Sequence, residues 1–143
     1  MARGAPTPAV RALDHAGVAY ELHSFSAAST ASSYGEAAAA ALGVGAARVF
    51  KTLVADLDGG PAPVAVAVVA VTARLDLRSL ARALGAKRAA MAAPTAAERL
   101  TGYVVGGISP FGQRRALPTL VDRAASSCLC TGQSQSASAA SVW

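Results

Sequence analysis

Lysine is almost missing from this chain. Of thirteen cationic side chains, only Lys51 and Lys87 are lysines, and the remaining eleven are arginines. Aromatic residues make up 5% of the 143 residues, and there are only two cysteines, two histidines and eight carboxylates. Each scarcity excludes something. Cys128 and Cys130 sit in one C-x-C with no second ligand pair, so they read as free thiols and not as a zinc site or a disulfide framework. His15, late in a first helix, and His23, in a first strand, have surface or packing roles as their ordinary reading. No G-x-S-x-G, P-loop, G-x-G-x-x-G or H-E-x-x-H occurs, so no familiar nucleophile, phosphate-cradling or metalloprotease system assembles. Neither a metal nor a cofactor is expected. No apolar run approaches the roughly 20 residues of a spanning helix. The N-terminus carries no signal-peptide core, so the expected setting is cytoplasmic, away from membranes.

What the chain does have is alanine, valine and leucine, which supply most of its 53% hydrophobic content. That is enough for one domain with a real core. An Ala/Arg-rich, Lys-poor composition looks like the product of a GC-rich genome, which makes a surviving lysine more informative than usual. The net charge of +5 and a pI near 9.9 point to polyanionic partners, nucleic acid ahead of membrane. A basic protein with no such partner is the bland alternative.

Periodicity and caps predict an α+β chain. Thr7-Pro8 starts a helix in which Val10 and Leu13 share a face and which Gly17 stops. Val18–Phe25 alternates as a strand. Ser33-x-x-Glu36 is a capping box for an Ala-rich helix ending at Gly43. Val49–Leu57 and Ala62–Val71 form a hairpin turned by "DGG". Asp76 caps a helix with Leu77, Leu80, Ala81 and Leu84 as its buried stripe, and Arg74, Arg78 and Arg82 are spaced four apart on the other side. A short strand at Arg88–Met91 precedes a second capping box, Thr95-x-x-Glu98. "YVVGGISPFGQ" is expected to be a strand followed by a glycine-rich loop, and Leu117–Asp122 a further strand. The layout is a single compact domain, a mixed sheet with flanking helices and no repeats. From residue 124 to 143 the chain has no charge and almost no large apolar side chain, and it is expected to be disordered; residues 1–123 form the folded domain.

Two features carry chemistry. Lys51 falls on one strand face with Val49, Leu53 and Ala55, opposite Phe50, Thr52 and Val54. A lysine flanked by valine and leucine must snorkel, pair with an anion or line a pocket; an edge-strand lysine that discourages aggregation competes equally. In "VVGGISPFG" (Val104–Gly112), adjacent glycines let backbone N–H groups approach a ligand closely, and Pro110 rigidifies the loop exit. Such a loop polarises a carbonyl or holds a ribose, although many similar stretches are only turns. Ser109 has no His or Lys near it in sequence. Arg114 and Arg115, and the Arg74, Arg78, Arg82 row, are phosphate contacts or solvated basic faces. The carboxylates Glu36, Asp58, Asp76 and Glu98 are read as caps and turn residues.

"TPAVRALDHAGVAYELHSF", "SYGEAAAAALGV", "RVFKTLVADLDG" and "LDLRSLARALGAKRAAMAAPTAAERLTGYVVGGISPFGQRRALPTLVD" together resemble the YbaK/EbsC-type aminoacyl-tRNA deacylases, in the Cys-tRNA(Pro) deacylase branch. The match runs from Thr7 to Asp122, and "VFKTL", "LTGY" and "GGISPFGQ" in this order make it specific. The resemblance implies a twisted, mixed and mainly antiparallel sheet curling toward a barrel. It also implies trans-editing: hydrolysis of the ester that joins a wrong amino acid to the 3′ end of tRNA. Lys51, Gly106 and Gly107 then take catalytic places, while Tyr20, Tyr34, Ile108, Ser109 and Pro110 lie at the substrate pocket. The expected partners are aminoacyl-tRNA and, as the family permits, prolyl-tRNA synthetase. A substrate-assisted route, in which a cysteinyl thiol attacks its own carbonyl, would explain why no triad is present.

The family continues past the "LPTLVD" strand with a strand, a basic "SGGRRGL"-like loop and a last helix, and nothing after Asp122 matches that pattern. The domain is therefore expected to be incomplete at its C-terminal side, and a shifted reading frame in the gene would explain it. The alternatives are editing of another small amino acid, such as Ala-tRNA(Pro), or a truncated homologue that binds tRNA or a partner without turnover.

Overall fold

The computed structural model describes residues 6–24, 34–125 and 140–142. Its helix ends follow local chemistry. Helix α1 (Pro8–Ala16) begins at Thr7, whose hydroxyl accepts from the Val10 N–H at 3.3 Å, and stops at Gly17 with φ 66°. Ala9, Val10 and Leu13 form its buried stripe, as the spacing predicts. Helix α2 (Tyr34–Leu42) follows, and its Ala38 and Ala39 pack on Val49. The capping serine expected before it, Ser33, lies outside the described residues.

A single 3-10 turn (Ala46–Arg48) leads into strand β2 (Phe50–Asp58), which pairs antiparallel with β3 (Val64–Ala70). Phe50 stands opposite Ala70, and the register runs without a break to Asp56 opposite Val64. Strand β4 (Arg88–Met91) adds antiparallel to the far half of β2, from Ala55 opposite Met91 to Asp58 opposite Arg88. Strand β5 (Thr119–Val121) adds parallel to β3, so the order is β4-β2-β3-β5. The fold is α+β with a mixed, mainly antiparallel sheet, as expected. It is not a closed barrel: among the described residues the sheet has open edges at β4 and β5. Strand β3 lies between two neighbours, and Ala65 through Ala70 are all buried, which its unbroken Val/Ala run anticipates.

Helix α3 (Leu77–Ala83) is capped by Asp76, whose carboxylate accepts from the Arg78 and Ser79 N–H groups at 3.0 and 3.1 Å and from the Ser79 hydroxyl at 2.7 Å. These bonds hold the Asp76 carboxyl below its ordinary range. Leu80 then packs on Ala55 and Ala67. Because the helix starts only at Leu77, Arg74 precedes the cap, and only Arg78 and Arg82 share an exposed face of α3.

Three further expectations change. Helix α4 (Pro94–Thr101) starts from Ala93 with Pro94 in its first turn, so Thr95 is already inside the helix and the Thr95/Glu98 box does not form. Proline's fixed φ sets the start two residues earlier than the threonine signal. Tyr103–Val105 is not a strand, because its N–H groups are committed locally: Tyr103 N–H to the Thr101 hydroxyl, Val105 N–H to Glu98. The first strand is shorter than its alternating pattern: β1 is Tyr20–Leu22, paired in parallel with β6 (Ala140–Val142). Strand β6 falls within the segment expected to be disordered. Backbone pairing needs no apolar side chains, so composition does not forbid it. Cys128 and Cys130 lie outside the described residues.

Candidate functional site

Lys51 sits on β2 opposite Val69, half-buried. On its face of the hairpin, α2 packs at the Val49/Val71 end and α3 at the Ala55/Ala67 end. Alternation therefore places Lys51 between two helix-covered patches, with its stem flanked by apolar neighbours. Its ammonium has no hydrogen bond or ion pair among the described residues. β2 is an interior strand, yet β4 covers only Ala55–Asp58, so among the described residues the Phe50–Leu53 half pairs on one side alone. The edge reading of Lys51 therefore keeps a geometric basis. Lys87 is unlike it: it is exposed and lays its methylene stem over Gly59 in the hairpin turn.

The glycine loop is built by α4. The Glu98 carboxylate accepts from the Val105 N–H at 3.0 Å. The Val104 carbonyl accepts from the Gly107 N–H at 2.9 Å, closing a turn in which Gly106 has φ 96°. A left-handed third residue is what a type II turn requires, and glycine supplies it without strain. Gly106 and Gly107 are exposed, and Ile108 and Pro110 half-buried. Ser109 is buried, its hydroxyl accepting from the Phe111 N–H at 3.1 Å and its carbonyl from the Gln113 amide at 3.0 Å. The buried Ser109 is thus a brace within the loop and has no histidine partner. The Gly107 N–H is used internally, whereas the N–H groups of Gly106 and Ile108 on either side of it have no partner among the described residues, as is also true of Val104, Ser109, Gly112 and Gln113.

Helix α1 ties this loop to Tyr20. Tyr20 and Tyr103 both pack against the Ala9, Val10, Leu13 stripe. The Tyr20 hydroxyl donates to Asp14 Oδ1 at 2.9 Å, and that bond raises its phenol above the ordinary value. The Tyr103 hydroxyl donates to the Phe111 carbonyl at 2.6 Å. Burial pushes the Tyr103 phenol up, opposed by the Ser109 hydroxyl, the Ala9 N–H and the Arg11 charge. Gly112 touches the start of α1 so closely that a Cβ there would run into the Pro8 carbonyl. In sequence, "LTGY" is only a family motif that assigns Thr101 and Tyr103 no task, and Glu98 has the spacing of a cap. The signal was present only as a motif, because each contact joins the helix to a loop that periodicity does not describe.

The structure thus brings Tyr20 and the two flanks of the Gly106–Pro110 loop, Tyr103 and Gly112, to a common helix. No hydrogen bond joins Lys51 to that group among the described residues. Tyr34 is the first residue of α2. Arg114 and Arg115 are exposed just beyond the loop, and the Arg114 side chain lies beside Gly102. Arg74, Arg78 and Arg82 are exposed around α3. Among the described residues no group of three or more His, Cys, Asp or Glu stands where it would hold a metal, and no helix is long and apolar enough to cross a membrane.

Comparison with known proteins gives these features a context. The sequence model of the aminoacyl-tRNA editing domain matches residues 28–129. A protein of Enterococcus faecalis named "Putative Cys-tRNA(Pro)/Cys-tRNA(Cys) deacylase EbsC" is 42% identical over 84 residues, which is 59% of this chain and 50% of that protein. The chain therefore spans about half the length of that relative. Among solved structures, "a putative trans-editing enzyme for prolyl tRNA synthetase" superposes with a TM-score of 0.64 at 27% identity, covering 85% of this chain and 76% of its own. The hypothetical protein APE2540 superposes with a TM-score of 0.66 at 27% identity over 82% of this chain and 74% of its own.

Proposed function

The chain belongs to the aminoacyl-tRNA editing domain family, and from that premise we propose that it is a trans-editing deacylase that cleaves the ester of a mischarged tRNA, with Cys-tRNA(Pro) as its substrate. The observation that supports the proposal is the turn at Gly106, an exposed glycine turn with unpartnered N–H groups on a loop whose ends are held by α4 and α1. An aminoacyl ester is already activated, so placement and electrostatic stabilisation of its carbonyl suffice for a large acceleration. In this reading the Gly106 and Ile108 N–H groups polarise the ester carbonyl. The Lys51 ammonium, compact and mobile on its stem, meets a phosphate or carbonyl oxygen at the site. Tyr20, Tyr34, Ser109 and Pro110 shape the wall around the terminal adenosine and the aminoacyl group. Gly107 acts by closing the turn.

The chemical step is substrate-assisted. The cysteinyl sulfur bonds to its own carbonyl carbon, the bond to the ribose oxygen breaks, and the thiol proton passes to that oxygen. Free tRNA and a thiolactone result. Cysteine in the name of the Enterococcus relative and the prolyl-tRNA context of the structural neighbour both favour this choice. Exposed Arg74, Arg78, Arg82, Arg114 and Arg115 hold tRNA phosphates, in keeping with the +5 charge. Docking on prolyl-tRNA synthetase and a cytoplasmic setting belong to the same reading.

The test is deacylation of Cys-tRNA(Pro) beside Ala-tRNA(Pro), with thermal unfolding of the same sample. Faster turnover of the cysteinyl substrate is expected. Preference for Ala-tRNA(Pro) would replace the substrate, and a cooperative melt without any turnover would make the chain a binding module.

A further inference from the structure

We infer that Glu98 and Tyr103 are positioning residues of the glycine loop: Glu98 ties down its start, Tyr103 its end, and together they aim the Gly106 and Ile108 N–H groups. The inference rests on the editing reading only in taking this loop as the part that meets the ester. The start of the loop has little else to hold it, unlike its Ser109–Gln113 end, where the buried Ser109 braces Phe111 and Gln113. Val104 is 73% exposed and Val105 47% exposed, so no core packing defines their conformation. Hydrogen bonds therefore decide it.

The Val104–Val105 peptide group is gripped on both edges. Its N–H donates to Glu98 Oε1 at 3.0 Å, and its carbonyl accepts from Gly107 at 2.9 Å. A carboxylate acceptor makes the first bond charge-assisted, and a peptide polarised in this way is a better acceptor on its other edge. The rotation of this peptide sets the turn, and the turn sets where Gly106 points. Glu98 has no competing task at the helix start, which Ala93 and Pro94 supply.

At the far end, the Tyr103 hydroxyl reaches across eight residues to the Phe111 carbonyl at 2.6 Å. Tyr103 is itself anchored to α4: its N–H donates to the Thr101 hydroxyl at 3.2 Å, and that hydroxyl donates to the Ala97 carbonyl at 2.7 Å. Burial keeps the phenol a neutral donor well above neutral pH. The Thr101 carbonyl also accepts from the Arg114 N–H at 2.9 Å, so one helix turn grips both ends of the loop.

The experiment compares the full chain with Glu98→Ala, Glu98→Gln and Tyr103→Phe, reading amide hydrogen exchange by NMR, Cys-tRNA(Pro) deacylation and thermal unfolding. In Glu98→Ala, exchange at Val105 and Gly107 accelerates while β2 and β3 amides keep their protection. Its kcat falls roughly tenfold to a hundredfold with KM little changed, as expected of a misaimed catalytic group. Glu98→Gln, which keeps an oxygen acceptor at the same reach, restores both readouts. Tyr103→Phe loosens Phe111–Gln113 and lowers kcat in the same way. Wild-type exchange in Glu98→Ala overturns the inference, and so does failure of Gln to rescue. Should Glu98→Ala not fold, the Gln and Phe variants decide. A wild-type chain without turnover sinks the editing reading, while the exchange arm still decides whether Glu98 and Tyr103 hold the loop.

Discussion

Replacing Lys51 by methionine separates the two roles open to this side chain. The stem is half-buried on the hairpin face between Val49 and Leu53. Methionine keeps an unbranched apolar stem there and removes only the ammonium. With no ion pair among the described residues to lose, the change in stability stays within about 1.5 kcal/mol, the usual bound for volume-conserving swaps. For a chain of this size that is a shift in Tm of roughly 6 °C or less. The effect on chemistry is far larger if the ammonium faces developing charge: loss of one preorganised donor costs about 10²–10³ in kcat, or roughly 3–4 kcal/mol. The assay is single-turnover deacylation of Cys-tRNA(Pro) with light scattering on the same samples. Lys51→Met is expected to lose turnover, keep its melt and stay monodisperse. Lys51→Arg is not expected to restore the rate, because a planar guanidinium presents its charge differently. If Lys51 merely guards the unpaired half of β2, the opposite pattern appears: unchanged rate and increased aggregation. A Lys51→Met rate within about threefold of wild type refutes the catalytic assignment.

Three other outcomes are expected. Gly112→Ala places a Cβ against the Pro8 carbonyl and a non-glycine residue at φ 64°; the left-handed backbone alone costs about 1–2 kcal/mol, so a calorimetric melt unchanged from wild type contradicts the α1–loop contact. The Asp76 carboxyl titrates below its ordinary 3.8 in the folded chain, so its contribution to stability is present above that range and is lost as pH falls through the folded value. The gap between thermal melts of wild type and Asp76→Asn should accordingly hold from neutral pH down to about the ordinary carboxyl value and close only as pH falls below it, and a gap that widens in acid contradicts the cap. Replacing Arg114 and Arg115 by serine weakens tRNA binding and lowers the steepness of log K against log salt by about 0.7–0.9 for each phosphate contact removed; an unchanged slope in filter binding removes those contacts.

Much of the fold was legible because its signals are local. Thr7 and Asp76 cap the helices they precede, since a side-chain oxygen two or three residues from an orphan N–H needs no tertiary help. The hairpin followed from two β-branched runs around a glycine turn, and β4 was found at Arg88–Met91 as expected. Where two local signals competed, the reading failed: Pro94 overrode Thr95, and the helix began earlier. The stretch "YVVGG" looked like a strand, but Thr101 captured the Tyr103 N–H and Glu98 the Val105 N–H first.

The sequence by itself determined which residues deserved notice. Composition singled out Lys51 and glycine spacing singled out the loop, and both belong to ordered motifs whose family the comparison bears out. Only the tertiary structure decided how they are held. That Lys51 lies between the patches under α2 and α3, that α1 links Tyr20 to the loop, and that Glu98 reaches seven residues forward to Val105 all depend on chain segments meeting in space. Periodicity reports which face of an element is apolar. It carries no information on which polar atom of a helix will find the unpaired N–H of a loop, because that choice is made only when the two are packed together.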